Sequence, residues 1–317
     1  MTPPPLLLAA HGTRDPAGVA AFQALAARVA DLAGRVGIDV AGGFIELSEP
    51  PLRDAVTALV GPAPAADPTA PAGPTAPAGS APARIVAVPL ILSAAGHAKG
   101  DIPAALAREH ARHPGVTFAY GRTLYPHPVL IDLLAQRVNA AGGAGAAVLL
   151  VGRGSSDPDA NADVVKTARL LWEGRDYPLA ETAFVSLARP DVTEGLERCR
   201  LLLAGQHGAR RIVVARYFLF PGVLPDRVAE QAAAYAAEHP ELEVVVADVL
   251  GDCDELAGLV LERYREALSG DIRMNCDMCV YRIAMPGFEH RVGEPQHPHD
   301  HPHDHVGEPH DHVHGYA

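Results

Sequence analysis

Leu6-Leu7-Leu8-Ala9-Ala10-His11-Gly12-Thr13-Arg14-Asp15-Pro16 is an apolar run that stops at a histidine, a glycine and an Asp-Pro pair. A short apolar run bounded by turn signals reads as a buried strand. Gly12 reads as the turn, and Asp15-Pro16 as the N-cap and first position of a helix. The strand therefore delivers His11 to the end of a sheet. The pattern returns 142 residues later as Val148-Leu149-Leu150-Val151-Gly152-Arg153-Gly154-Ser155-Ser156-Asp157-Pro158, with Arg153 in the place of His11. The chain reads as an internal duplication whose halves have diverged at their polar tips.

Outward from this strand, Val19, Phe22, Leu25, Ala26 and Val29 recur at helical spacing and predict a helix from about Pro16 to Leu32. Residues 38–47 contain the next strand, ending in Phe44-Ile45-Glu46-Leu47, and Ser48-Glu49-Pro50 caps a helix that ends near Val60. Residues 61–83 are almost entirely Pro, Ala, Gly, Thr and Ser. With no large apolar side chain to bury, this stretch is expected to be a disordered surface insertion. Alternation then resumes with a strand over 84–92 that runs into Ser93-Ala94-Ala95-Gly96-His97. A helix from Asp101, a strand over 116–120 and a helix over 126–140 close the half.

Gly142 to Gly145 is the expected hinge. The second half repeats the order, with strands over 146–152, 183–187, 211–220 and 242–249. Its helices are expected over 158–172, from Pro190, over 224–238 and over 254–268. Such alternation predicts an α/β protein of two tandem homologous domains, each a parallel, flavodoxin-like sheet flanked by helices. The domains are 1–142 and 143–270, and 271–317 is left as a Cys-x-x-Cys segment and a His-rich tail. In this architecture ligands bind outside the carboxyl ends of the strands, where His11, Glu46 and His97 fall.

The 317 residues, 48% of them hydrophobic, suffice for two buried cores. A formal charge of −12 argues against nucleic acid or an anionic membrane as partner, because neither attracts an acidic protein at long range. Of 26 basic residues only Lys99 and Lys166 are lysines. The arginine excess could suit bidentate carboxylate binding, but codon bias in the source genome is the better account of most of it. The first ten residues have no basic segment, and their apolar run is too short for a signal peptide or a membrane span. Cytoplasm is the expected location. Four cysteines do not make a disulfide framework in a chain this long, and the close pair Cys276 and Cys279 suggests metal or redox chemistry.

Three anchors align the halves: Gly12, Asp15 and Pro16 with Gly154, Asp157 and Pro158; Phe44–Pro50 with Phe184–Pro190; and Arg84-Ile85-Val86 with Arg211-Ile212-Val213. In this register Glu46 matches Ser186 and His97 matches Leu224. Two histidines and a carboxylate at three strand ends suit a divalent first-row metal, and either imidazole is also a base near neutral pH. A lone histidine more often caps a buried loop, but the three together at equivalent strand ends favour a metal site of His11, Glu46 and His97. Arg14, Arg153, Arg189 and Arg216 are the candidate cations for an anionic ligand, although strand-end arginines often serve only as surface ion pairs.

The stretches AAHGTRDP, GFIELSEP, VPLILSAAGHAKGDIP, VGRGSSDPDANAD, RYFLFPG and MNCDMCVYR, spread over residues 6 to about 282, resemble the sirohydrochlorin cobaltochelatases of the class II chelatases, in their long, internally duplicated form. The resemblance implies a chelatase-like fold and insertion of Co(II) into sirohydrochlorin, or its precorrin form, on the oxygen-independent route to cobalamin. It carries over His11 and His97 as the catalytic histidines that deliver metal and accept protons, and Glu46 less firmly as a further ligand. Two pyrrole N–H protons must leave as the dication enters, which neutral imidazole can accept. The ring's peripheral carboxylates would need the arginines across the cleft.

Met274-Asn275-Cys276-Asp277-Met278-Cys279 sets two thiols at a spacing shared by iron-sulfur, zinc and copper(I) sites. The resemblance implies an iron-sulfur cluster here. Either Cys199 and Cys253 then supply the missing ligands or two chains share the cluster in a homodimer, and Cys253 reads more simply as a small buried apolar residue. The tail carries His297, His299, His301, His303, His305, His310, His312 and His314 among Asp and Pro. Such a tract cannot bury a core and suits weak metal buffering or delivery. The rival readings are Fe(II) insertion for siroheme, and a metal-storage protein or metallochaperone. A mere carrier gives no reason for His11, Glu46 and His97 to face an arginine-bearing twin.

Overall fold

Alternate residues along each central strand point to different cores, as a period of two requires. Leu6, Leu8, Val86 and Val88 share one buried cluster with Val148, Leu150, Val213 and Ala215. Leu7, Ala9, Ile85 and Ala87 face a second cluster, and Leu149, Val151, Ile212 and Val214 a third. The first cluster draws on both halves of the chain. The molecule is therefore built on one shared inner core and two outer ones.

The computed structural model describes residues 3–60, 84–124, 126–204 and 210–270, with 281, 284, 287 and 289–294. The insertion expected over 61–83, the Cys276–Cys279 pair and all eight tail histidines lie outside the described residues. The first half runs β1 (Leu6–Ala10), α1 (Pro16–Gly34), β2 (Val40–Phe44), α2 (Leu52–Val60), β3 (Arg84–Pro89), α3 (Ile102–Arg112), β4 (Thr117–Tyr120) and α4 (Pro128–Ala140). The second runs β5 (Ala147–Gly152), α5 (Pro158–Trp172), β6 (Ala180–Phe184), α6 (Val192–Leu203), β7 (Arg211–Arg216), α7 (Val223–Glu238), β8 (Glu243–Val246) and α8 (Asp254–Ser269). Both sheets are parallel, in the orders β2-β1-β3-β4 and β6-β5-β7-β8. The fold is the duplicated, helix-flanked parallel α/β architecture that the alternation predicts.

Several strands end earlier than their apolar runs suggest. The run to Leu47 leaves the sheet after Phe44, and the run over 183–187 belongs to a strand that has already ended at Phe184. In both places a leucine in the left-handed region, Leu47 at φ 64° and Leu187 at φ 59°, turns the chain out of the extended conformation. The Gly142–Gly145 segment is a closed turn rather than a slack hinge. The Gly142 and Gly143 amides donate to Asn139 and Val138 carbonyls, and Arg211 Nη1 donates to the Gly142 carbonyl at 3.0 Å.

Four helices fill the layer between the sheets: α1 and α8 against the first, α4 and α5 against the second. The last helix of each half has thus crossed to the other half's side. Arg263 of α8, 1% exposed, donates to the carbonyls of Thr123 (3.0 Å) and Leu124 (2.9 Å) beyond β4. Arg137 of α4 does the same to Val249 (3.1 Å) and Leu250 (2.8 Å) beyond β8. The two contacts are repeat-equivalent, so the exchange is symmetric. Around Arg263, Glu266 also binds Arg122 at 2.9 and 2.6 Å and balances the buried guanidinium.

Because the inner core is shared, the two halves should unfold together. Arg263→Met strands two buried carbonyls and should cost about 3–5 kcal/mol. Arg137→Met, at a half-buried site, should cost about 1–3 kcal/mol. Urea titration followed by circular dichroism checks this; a biphasic curve in which Arg263→Met moves only one phase contradicts the shared core.

Candidate active site

The ladder between β1 and β2 does not stop at the strand ends. The Ile45 amide donates to the Ala10 carbonyl at 2.9 Å and the Glu46 amide to the His11 carbonyl at 3.0 Å. Two more rungs thus carry Glu46 alongside His11. Gly12 makes this approach sterically feasible: at φ 114°, a Cβ there would lie 1.8 Å from the Glu46 carbonyl oxygen. Ser48 then staples the loops, its hydroxyl accepting from the Thr13 amide at 2.8 Å and donating to the Thr13 carbonyl. The second half keeps this scaffold, with Gly154 against the Ser186 carbonyl and the Ser186 amide on Arg153.

His97 is placed by a feature that has no counterpart in the twin half. Residues His97–Asp101 form a π-helical turn running into α3, whereas the equivalent stretch of α7 is plain α-helix. The Leu124 and Leu250 amides bind the carbonyls of Ile91 and Phe218, and His113 and His239 cap α3 and α7. Between these equivalent points the first half has one residue more, and the excess coincides with the π-turn, which accommodates an extra residue. The widened turn brings His97 Nδ1 to 2.6 Å from Asp101 Oδ2, and Asp101 is itself only 2% exposed. Tyr120, from β4, donates to the Ala98 carbonyl at 2.9 Å and pins the turn from the sheet side; burial pushes its hydroxyl pKa up.

The imidazoles of His11 and His97 stack, with ring centroids 3.9 Å apart and planes 27° from parallel. Each has a carboxylate on one nitrogen, His11 Nε2 on Glu46 Oε1 at 3.0 Å and His97 Nδ1 on Asp101. A carboxylate only accepts, so those nitrogens carry the protons, and the lone pairs fall on His11 Nδ1 and His97 Nε2. His11 Nδ1 is buried with no hydrogen-bond partner. A buried acceptor left unsatisfied is costly and marks a group kept for chemistry. Burial holds the His11 pKa below the ordinary imidazole range. The Glu46 hydrogen bond opposes that shift, and the nearby His97 and Arg153 add to it. The pair is thus two adjacent bases, with His11 kept neutral.

Glu46 is engaged on His11. Among the described residues no three His, Cys, Asp or Glu side chains form a ready-made cage. Of the four arginines, Arg153 is exposed and acts electrostatically on His11, and Arg14 is exposed on the β1–α1 loop. Arg189 lies on the surface, bound to Asp191 at 2.7 Å and Glu194 at 2.6 Å beside the N-cap of α6. Arg216 is turned into the sheet end, with Nε on the Ala247 carbonyl at 2.8 Å. The structure therefore brings Arg153 to the histidines, while Arg189 and Arg216 serve local contacts. Cys199 is buried within α6, where burial pushes its thiol up to about 12. Cys253, half-buried before α8, is also shifted upward by burial.

Sequence reasoning missed Asp101, Lys99 and Tyr120. The i, i+4 spacing of His97 and Asp101 gave a signal, but the Asp101-Ile102-Pro103 run reads as an ordinary helix start and hides it. A cavity of about 270 Å³ between the start of α4 and the end of α5, walled by Pro126, His127, Ile131 and Leu170, is lined by none of the site residues.

These observations define a class: a duplicated α/β protein with two imidazole–carboxylate pairs at the switch point of one sheet and an arginine at the twin position. The chain belongs to the CbiX family, whose model matches residues 5–141 and 147–267. It is 39% identical over 207 residues to a sirohydrochlorin cobaltochelatase of Priestia megaterium, covering 63% of this chain and 66% of that protein. It is 32% identical over 189 residues to a sirohydrochlorin ferrochelatase of the same organism, covering 59% and 68%. The chain thus spans about two thirds of the length of these relatives. SirB from Bacillus subtilis, solved with Fe3+, superposes with a TM-score of 0.65 at 27% identity, covering 85% of this chain and 98% of that one.

The lowered His11 pKa has a definite sign. His11 binds fewer protons folded than unfolded, so stability is full above about pH 6.5 and falls as pH drops toward and through the folded value. Glu46→Gln, by removing the group that opposes the shift, should move the His11 titration to still lower pH; Arg153→Ala should move it up. Imidazole proton NMR reads both, and shifts of the opposite sign contradict the assignment.

Proposed function

We propose that this protein inserts Co(II) into sirohydrochlorin, with His11 and His97 handling the metal and the leaving protons. The observation that carries the reading is the stacked histidine pair, each ring held by its own carboxylate with one lone pair free. Metallation of the ring exchanges two N–H protons for one dication. Two neutral imidazoles side by side hold the ion loosely and accept those protons, whereas a saturated cage would retain the ion. Glu46 and Asp101 stabilise each imidazolium as it forms. Arg153 and Arg14 are exposed near the histidine-bearing strand ends and suit the ring's carboxylates.

The relative named a cobaltochelatase supports Co(II) as the metal and the ferrochelatase relative supports Fe(II) as the second reading; SirB, solved with Fe3+ and with cobalt, fits both. Storage or metallochaperone function fits less well, because a carrier does not need two bases beside an arginine-bearing twin. For Cys276 and Cys279 the motif MNCDMCVYR supports an iron-sulfur cluster, and with Cys199 buried in a helix the remaining ligands are better supplied by a second chain. No helix among the described residues is long and apolar enough to cross a membrane.

Anaerobic absorbance of sirohydrochlorin with Co(II) or Fe(II) tests the reading. His11→Ala and His97→Ala should each slow insertion by about a hundredfold or more, the scale of a lost general base, with ring affinity nearly unchanged. Asp101→Ala should cost about 10- to 100-fold through its histidine. Full turnover in both histidine variants sinks the assignment, and faster insertion of Fe(II) than Co(II) selects the siroheme reading.

Deletion of residues 296–317 should leave insertion unchanged at saturating metal and slow it only when metal is limiting. Complete loss at saturating Co(II) shows that the tail belongs to the site itself.

A further inference from the structure

Between His97 and Asp101 on the π-turn stands Lys99, one of only two lysines among the chain's 26 basic residues. Its ammonium does not face the histidines. It crosses to the second half, where Nζ lies 2.6 Å from Asp157 Oδ2 and 3.6 Å from Asp159 Oδ2. All three side chains are at most 7% exposed. Asp157 is also the N-cap of α5, its Oδ1 accepting from the Asp159 amide at 3.1 Å, and it closes the loop that begins at Arg153. One buried ion bridge therefore joins the turn that carries His97 to the loop that carries Arg153.

The bridge exists on one side only. In the repeat register Lys99 corresponds to Asp226, and Asp157 to Asp15. These are two acids; Asp226 is exposed, Asp15 caps the Ala17 amide at 2.8 Å, and no ion pair joins the two. The Arg137 and Arg263 clamps are duplicated in the two halves; this bridge is not, and it falls where the histidines are. A compact ammonium between two buried carboxylates also explains a lysine in an arginine-rich chain, since a guanidinium needs a wider, planar opening.

We infer that Lys99 is a positioning residue for metal insertion: through Asp157 and Asp159 it locks the His97 π-turn to the ring-facing loop of the second half. The inference rests on the chelatase reading, because it assigns the purpose of the lock. Its physical content is narrower. With the bridge cut, the π-turn loses its anchor outside its own half, His97 slips relative to Asp101, and the lone pair on Nε2 is no longer held in one direction.

The test uses the full chain carrying Lys99→Met, Asp157→Asn or both; asparagine keeps the cap on α5. The first readout needs no activity: nitrogen-detected imidazole NMR without ring or metal. The His97 ring, a single Nδ1–H tautomer in wild type, should become an exchanging mixture in Lys99→Met, while His113 and His239 stay as they were. The second is kinetic. Insertion measured well below the unfolding temperature should lose about 10- to 100-fold in kcat, the scale of a displaced catalytic group, with ring affinity within about threefold of wild type. The double variant should be no slower than the worse single, because both cut one bridge. A folded Lys99→Met protein with the wild-type His97 tautomer and wild-type kcat overturns the inference, as does a loss that tracks thermal stability alone. If wild type inserts no metal, the chelatase reading fails, and the His97 tautomer by itself then decides whether Lys99 positions the turn.

Discussion

The structure depends on a buried guanidinium reaching from one half of the chain to backbone carbonyls of the other. Arg263 on α8 binds Thr123 and Leu124, and Arg137 on α4 binds Val249 and Leu250, each at the loop that follows an edge strand. These loops carry carbonyls that no sheet partner can satisfy. A buried carbonyl without a donor is costly, and a lone buried charge more so; each need meets the other. The consequence is geometric. With α4 and α8 exchanged, α1, α4, α5 and α8 form a common layer, and the two sheets are held as one body around it.

Within that body the halves keep the same backbone devices and differ in what they mount on them. Gly12 and Gly154 make the same tight approach to the carbonyls of Glu46 and Ser186, and the loops that follow turn at Leu47 and Leu187 in the same conformation. Such local geometry is set by backbone sterics and tolerates any polar residue at the tip. One copy mounts histidine and glutamate, the other arginine and serine. One half therefore carries bases at its strand ends and the other a cation at the equivalent place.

Electrostatics keeps His11 neutral. Burial and the nearby Arg153 hold it from protonation, the Glu46 hydrogen bond opposes that shift, and Glu46 and Asp101 each face one nitrogen of their own ring in the stacked pair. The balance leaves the buried His11 Nδ1 lone pair basic without a standing positive charge on that ring. An imidazole pair with no carboxylate partners would rotate between tautomers, and one with stronger partners would stay protonated.

Much of this was readable from local pattern. Apolar runs ending at glycine and Asp-Pro, repeated at a constant register, are enough to specify parallel strands, their helices and the duplication, because burial of alternating residues and helix capping act over a few neighbours. The same register singled out His11, Glu46 and His97 as the polar tips that the structure brings together. What the linear pattern leaves open is set by contacts between residues far apart in the chain. The crossing of α4 and α8, the descent of Arg189 and Arg216 into local ion pairs and carbonyl contacts, and the turn of Glu46 toward His11 each depend on which partner lies nearest once the sheets pack. The π-turn at His97 belongs to the same group. A single extra residue is invisible within a helical period, and its effect, placing Asp101 behind the imidazole and Lys99 against the second half, appears only when the sheet end and the twin lobe close around it.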